Sequence, residues 1–161
     1  MHNQKSFTID EAKAKMEYYC AYQERCHKEV RDKLFQMRMI PEAIDVIIVH
    51  LLGHNYLNEQ RFAEQFVQGK FRIKKWGRQR LKRELQLREI SKNNIDKALK
   101  TIPLEEYNIT LDELAEKRMA MVKETNPFKR KKKICDYLLY RGWESHLVYE
   151  LVSEKLAKSN K

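Results

Sequence analysis

Apolar residues recur at helical spacing along this 161-residue chain, and the pattern itself returns about every fifty residues. The middle of the chain shows it best. Phe62, Ala63, Phe66 and Val67 share one face of a helix, Leu81 and Leu85 one face of a second, and Ile95, Ala98 and Leu99 one face of a third. Between the first two, Lys74, Lys75, Trp76 and Gly77 form a break; Ser91 caps the third helix and Pro103 ends it.

Two landmarks set the period. Helix starts are predicted at Thr8, where Thr8-Ile9-Asp10-Glu11 spells a capping box, at Asn58 between the stapling residues Leu57 and Phe62, and at Thr110, where Thr110-Leu111-Asp112-Glu113 spells another box. A second landmark ends a helix in each repeat: Phe35-x-x-Arg38-x-Ile40, Leu85-x-x-Arg88-x-Ile90 and Leu138-x-x-Arg141-x-Trp143, followed by Ile44, Ile95 and Leu147. Pro41 lies just inside the third helix of the first repeat. Asn126-Pro127 reads as a cap followed by proline at the first helical position, and Gly142 as a stop.

The predicted fold is therefore all-α: three tandem three-helix repeats stacked into an elongated, curved array, because three short helices bury too little apolar area alone. The expected boundaries are an N-terminal tail at 1–7, repeats at 8–56, 57–108 and 109–156, and a C-terminal tail at 157–161.

Composition agrees. The chain holds only four Gly and three Pro, and strong helix formers dominate it. Cys20, Cys26 and Cys135 are odd in number and irregularly spaced, which argues against a disulfide framework and for buried small hydrophobes in a reducing compartment. The start, Met1 to Lys5, leads into polar sequence, and the longest apolar run, Val46 to Leu52, is too short to span a bilayer. A cytoplasmic protein with no membrane partner is expected.

Charge adds the functional clue. The chain carries a net +10, which favours polyanionic partners. Within residues 69–88, Lys70, Arg72, Lys74, Lys75, Arg78, Arg80, Lys82, Arg83 and Arg88 face one acid, Glu84. Within 126–141, Lys129, Arg130, Lys131, Lys132, Lys133 and Arg141 face Asp136. Together these windows exceed the net charge of the whole chain, so the remainder is slightly acidic. Both fall on the second helix of a repeat and its approach. The candidate filament- or nucleic-acid-binding residues are Lys70, Arg72, Lys74, Lys75, Arg78, Arg80, Lys82, Arg83, Lys129, Arg130, Lys132 and Lys133. Solvated helix faces are the bland alternative, but such faces normally interleave Glu with Lys at i, i+4, which these do not. Six phosphate contacts along such a stripe would give a salt slope of about −5 on duplex and about −4 on a single strand. Trp76 and Phe128 stand at the edges of the stripe, expected as core anchors rather than stacking platforms for bases.

No catalytic constellation is present: there is no H-E-x-x-H, G-x-S-x-G, P-loop or dinucleotide turn. His50 and His54 stand at i, i+4 but lack a third ligand, and a surface helix end is the plainer reading. Glu84 is expected to pair locally with Arg80 or Arg88, and Glu64 is isolated. Neither an enzyme nor a cofactor is expected.

Several motifs resemble those of the RecX family. Arg61-Phe62-Ala63-x-x-Phe66-Val67 after Tyr56-Leu57 is similar to its R-F-A-x-x-F-V signature, and Gly77-x-x-Arg80-Leu81-x-x-Glu84-Leu85 to its G-x-x-R-I-x-x-E-L. Lys129 to Trp143, with Leu138-Leu139-x-Arg141-Gly142-Trp143, looks like its K-x-K…F-L-x-R-G-F. The resemblance runs from about Ile9 to Leu156 and is most specific in the middle repeat. Departures are Glu89 where the family has glycine, Met39 at that place in the first repeat, and Trp143 for phenylalanine. The resemblance implies a protein that binds RecA, lies in the groove of the RecA–single-stranded-DNA filament and limits its activity in repair and recombination, with single-stranded DNA contacted and the chain a monomer. The competing expectation is a non-specific nucleic-acid-binding helical repeat that acts without RecA.

Overall fold

The structure, a computed structural model, describes residues 6–159; Met1–Lys5 and the end of the C-terminal tail lie outside them. Among the described residues there are nine α-helices and no strand. The first repeat holds α1 (Ile9–Tyr22), α2 (His27–Gln36) and α3 (Pro41–Gly53). The second holds α4 (Glu59–Gly69), a π-helical turn (Lys70–Lys74), α5 (Arg78–Leu87) and α6 (Lys92–Leu99). The third holds α7 (Leu104–Met121), α8 (Pro127–Tyr140) and α9 (Ser145–Ser159). Four helices start where a cap side chain satisfies a free N–H group of the first turn. Thr8 and Glu11 form the reciprocal capping box. Asn58, Ser91 and Asn126 each accept a hydrogen bond from the N–H three residues on.

One start differs from expectation. α7 begins at Leu104 after Pro103, six residues before Thr110, whose hydroxyl instead donates to the Glu106 carbonyl inside the helix. The residues before Thr110 are themselves helix formers, and Pro103 fixes a backbone that leads directly into a helix.

The second landmark also shifts, in the first repeat alone. Each second helix ends in the same motif: the N–H of Met39, Ile90 and Trp143 donates to the carbonyl of Leu34, Leu85 and Leu138, across a residue with positive φ. Those residues are Arg38 (62°), Glu89 (59°) and Gly142 (94°). Leu34 is therefore the equivalent of Leu85 and Leu138; Phe35, the residue expected there, is 75% exposed. In the corrected register Val30, Leu81 and Ile134 are all fully buried, 51 and 53 residues apart. The next apolar anchor then falls five residues after the motif in every repeat, at Ile44, Ile95 and Val148, so Val148 replaces Leu147.

The cores do not divide evenly among the repeats. Ala12, Met16, Val30, Leu34, Ile47 and Leu51 lead a cluster confined to the first repeat and its exit. Repeats two and three share one larger cluster, from Phe62 to Val152. At their junction the rings of Phe71, Tyr107 and Trp143 meet, with Tyr107 and Trp143 stacked at 4.4 Å between centroids. The link between the first two repeats is mostly polar. Arg61 donates to Glu24 at 2.6 Å and to Asn55, and the His27 N–H donates to Glu59. Cys26 alone among the buried residues of the first repeat joins the second core.

Candidate polyanion interface

The positive helices α5 and α8 meet end to end. The N–H of Gly77 donates to the Arg141 carbonyl at 2.8 Å, and that of Gln79 to the Gly142 carbonyl at 2.9 Å, so the free donors that open α5 are satisfied by the free acceptors that close α8. Only glycines permit this approach. A Cβ on Gly77 would lie 2.5 Å from the Gly142 carbonyl oxygen, and one on Gly142 would lie 2.3 Å from Arg80 Cβ. Trp143 completes the joint by donating its indole N–H to the Lys75 carbonyl.

Neither helix has an acidic residue in its first turn. Lysine and arginine there oppose the helix dipole, which favours negative charge at an N-terminus. Both helices thus carry positive charge where it weakens them, unlike an ordinary solvated face.

The candidate residues divide three ways. Arg78 and Arg130, both partly buried, bond to groups of the protein itself. The Arg78 guanidinium lies 3.8 Å over the Tyr107 ring and donates to Glu144 at 2.9 Å. The Tyr107 hydroxyl accepts from the Arg78 N–H and donates to Glu144. Burial first, and the Glu144 hydrogen bond second, push the Tyr107 hydroxyl well above its ordinary pKa. Arg130 donates to the Met119 and Val122 carbonyls and so closes the end of α7.

A second group makes exposed ion pairs: Arg72 with Glu106, Lys132 with Asp136 and Lys133 with Glu124. The Lys133 hydrogen bond holds the Glu124 carboxyl below the usual carboxylate range. Such exposed pairs are weak and exchange readily for a stronger anion. In the third group, Lys70, Lys74, Lys75, Arg80, Lys82, Arg83 and Lys129 make no ion pair among the described residues. Two of these gather on Trp76: the Arg80 guanidinium lies 4.3 Å and the Lys70 ammonium 5.5 Å from its ring. Arg80 also lies 5.2 Å from Tyr140. Trp76 itself packs against the core beside Phe66, as expected, but Phe128 is 86% exposed and anchors nothing. The Asn126 cap and Pro127 start α8 so that Phe128 falls on its outer side.

A feature missed in the sequence sits beside this surface. Lys74 and Lys75 line a cleft of about 440 Å³ together with Lys117 and Arg118 of α7 and Tyr137 and Arg141 at the end of α8. The sequence signals were Lys74, Lys75 and Arg141, all inside the basic windows; Lys117 and Arg118 lie outside both.

Other readings are met directly. All three cysteines are buried and unpaired, with burial pushing the Cys20 thiol up to about 11 and Cys26 to about 12. His50 pairs with Glu17 at 3.2 Å, and His54 Nδ1 lies 2.9 Å from the His50 carbonyl oxygen. Glu84 pairs with Arg88, one of its two expected partners. Among the described residues no helix is long and apolar enough to cross a membrane, and no cluster of His, Cys, Asp and Glu has the makings of a metal site.

Comparison with known proteins gives a consistent result. Residues 58–99 match the family model of the second three-helix domain of RecX, and residues 105–152 that of the third. A regulatory protein RecX of Clostridium perfringens strain 13 is 30% identical over 122 residues, covering 74% of this chain and 57% of the relative. That of Cronobacter sakazakii is 33% identical over 108 residues, covering 67% and 64%. The chain spans roughly half to two thirds of the length of these relatives. The crystal structure of RecX from Lactobacillus salivarius superposes with a TM-score of 0.80 at 25% identity, covering 91% of this chain and 95% of that one. A second crystal structure of a regulatory protein RecX gives 0.81 at 23% identity, covering 91% and 71%.

Proposed function

Since this chain belongs to the RecX family, we propose that it binds RecA recombinase and the RecA–single-stranded-DNA filament and restrains the filament's activity in DNA repair and recombination. One observation carries the reading beyond the family: positive charge without an ion pair is concentrated from Lys70 to Arg83, on the π-helical turn and α5, and returns with Lys129 at the N-terminus of α8, whose other end abuts α5. A filament of RecA on DNA offers a long polyanionic groove, and stacked helical repeats offer an extended wall to lay along it. The contacting residues are Lys70, Lys74, Lys75, Arg80, Lys82, Arg83 and Lys129, with Arg72, Lys132 and Lys133 exchanging their exposed carboxylate partners for the filament. Arg78 and Arg130 hold the wall in shape. The chain acts in the cytoplasm as a monomer and by occupancy alone, bridging neighbouring protomers so that subunit addition or strand exchange is blocked.

The test is RecA assembly on single-stranded DNA, followed by light scattering and ATP hydrolysis with and without this protein. Shorter filaments and slower hydrolysis are expected at substoichiometric amounts. Assembly and hydrolysis that proceed unchanged at a molar excess would defeat the reading.

A further inference from the structure

We propose that the cleft between repeats two and three is a dedicated phosphodiester-binding site that holds a single-stranded nucleic acid, rather than one more part of a diffuse positive face. The proposal deepens the reading above and rests on it for its biological partner, but its geometry stands independently of RecA.

Five cations, Lys74, Lys75, Lys117, Arg118 and Arg141, surround one cleft, and among the described residues no carboxylate lines it. Like charges so placed repel one another and destabilise the fold unless an anion enters. The geometry holds them there at a local cost. Lys74 ends a π-helical turn, a rare form associated with functional sites. Lys75 follows in the left-handed region at φ 59°, which disfavours any residue with a Cβ. Arg141 donates to the Lys74 carbonyl, so the two sides of the cleft are tied together.

The two arginines are prepared for phosphate. The guanidinium groups of Arg118 and Arg141 lie 4.3 Å and 4.9 Å from the Tyr137 ring, which fixes their planes. Arg118 Nε is buried without a hydrogen-bond partner, and guanidinium groups bind phosphate through paired N–H donors. Its rim is not wholly polar: Ile73 and Met121 are 78% and 59% exposed there. Apolar side chains beside fixed guanidinium planes suit the sugars and base faces of a strand, whereas an acidic peptide needs no such rim. A volume of about 440 Å³ lies within the range of small-ligand sites and admits a nucleotide or so at a time, with the strand running out at either side.

Fluorescence anisotropy of a labelled twenty-residue oligothymidylate tests the site, using the full chain and a series of salt concentrations. Lys74 and Lys117 are exposed, so K74Q/K117Q removes charge without disturbing the core. This variant is expected to bind at least tenfold more weakly at about 0.1 M salt, with the salt slope reduced by about 1.4, roughly 0.7 for each lost contact. K92Q/K97Q, with the same charge change on exposed positions of α6 outside both the cleft and the positive wall, is expected to lose less than threefold. Met121→Glu, which adds a carboxylate while leaving every cation in place, is expected to weaken binding as K74Q/K117Q does. Wild-type affinity in both cleft variants would overturn the proposal, and so would a polyglutamate peptide that displaces the oligonucleotide at equal charge concentration. RecA assembly measured in parallel separates the two readings. A chain that needs the cleft for oligonucleotide but leaves RecA untouched keeps the cleft and loses the RecA reading; one that inhibits RecA equally with and without the cleft cations, and binds no oligonucleotide, does the reverse.

Discussion

Tyr107 shows how much one side chain organises at the junction of repeats two and three. It accepts from the Arg78 N–H, donates to Glu144, lies under the Arg78 guanidinium and stacks on Trp143. Tyr107→Phe keeps the ring but leaves one Glu144 oxygen and the Arg78 N–H without their partner, and is expected to destabilise the fold by about 1–3 kcal/mol in urea unfolding. The same residue, with the buried thiols, sets the response to alkali. The thiols of Cys20 and Cys26 are raised from 9.0 to about 11 and 12, chiefly by burial, and the Tyr107 hydroxyl is raised above 10.0. A raised pKa in the folded state means that the unfolded chain loses its proton first. The stabilisation is therefore complete below pH 9 and is lost as pH climbs through the range between unfolded and folded values. The urea midpoint should stay level to about pH 8.5 and fall above it, and Cys26→Ala should make that fall shallower. A midpoint that rises between pH 9 and 11 would contradict this assignment.

The helix ends decide the repeat register. Arg38 occupies the left-handed position of the first repeat, exposed and without an ion pair among the described residues, while Met39 packs against the core. Arg38→Gly should stabilise the protein by about 0.5–1 kcal/mol, since glycine adopts positive φ without strain. Met39→Gly should instead cost about 1–3 kcal/mol, as a partly buried side chain is lost from a packed site. The reverse order in thermal or urea unfolding would restore the register in which Phe35 matches Leu85. That ambiguity was inherent in the sequence: Leu34 and Phe35 are adjacent and both apolar, and periodicity alone does not say which faces inward. The start of α7 was hidden for a similar reason, because Thr110-Leu111-Asp112-Glu113 spells a capping box while the helix formers before it continue the helix unbroken. Capped starts at Thr8, Asn58, Ser91 and Asn126 were legible because each carries its own hydrogen-bond acceptor. The cleft was legible only in part: Lys74, Lys75 and Arg141 stand in the basic windows, whereas Lys117 and Arg118 do not. Lys117 and Lys74 are 43 positions apart in the chain, and only tertiary packing around Tyr137 makes them neighbours.

Over the whole molecule, two cores imply two units of stability. The first repeat carries its own smaller cluster and meets the second through Arg61, Glu24, Asn55 and Glu59, whereas repeats two and three are fused through Phe71, Tyr107 and Trp143. Native-state hydrogen exchange should therefore show amides of α1 to α3 opening together, at lower free energy than those of α4 to α9. One common opening energy along the chain would refute this division. It also has a functional meaning: the positive helices and the cleft belong to the part fused through one core, which holds its charges at fixed spacing. The most direct test of the account is co-sedimentation with RecA filaments assembled on single-stranded DNA, comparing the wild-type chain with a variant carrying Lys74, Lys82, Arg83 and Lys129 as glutamate. The account predicts saturable binding by the wild type and a loss of at least tenfold in the variant, with its melting curve preserved. A variant that sediments with the filament as well as the wild type would show that the positive wall of repeats two and three is not what RecA and its DNA meet.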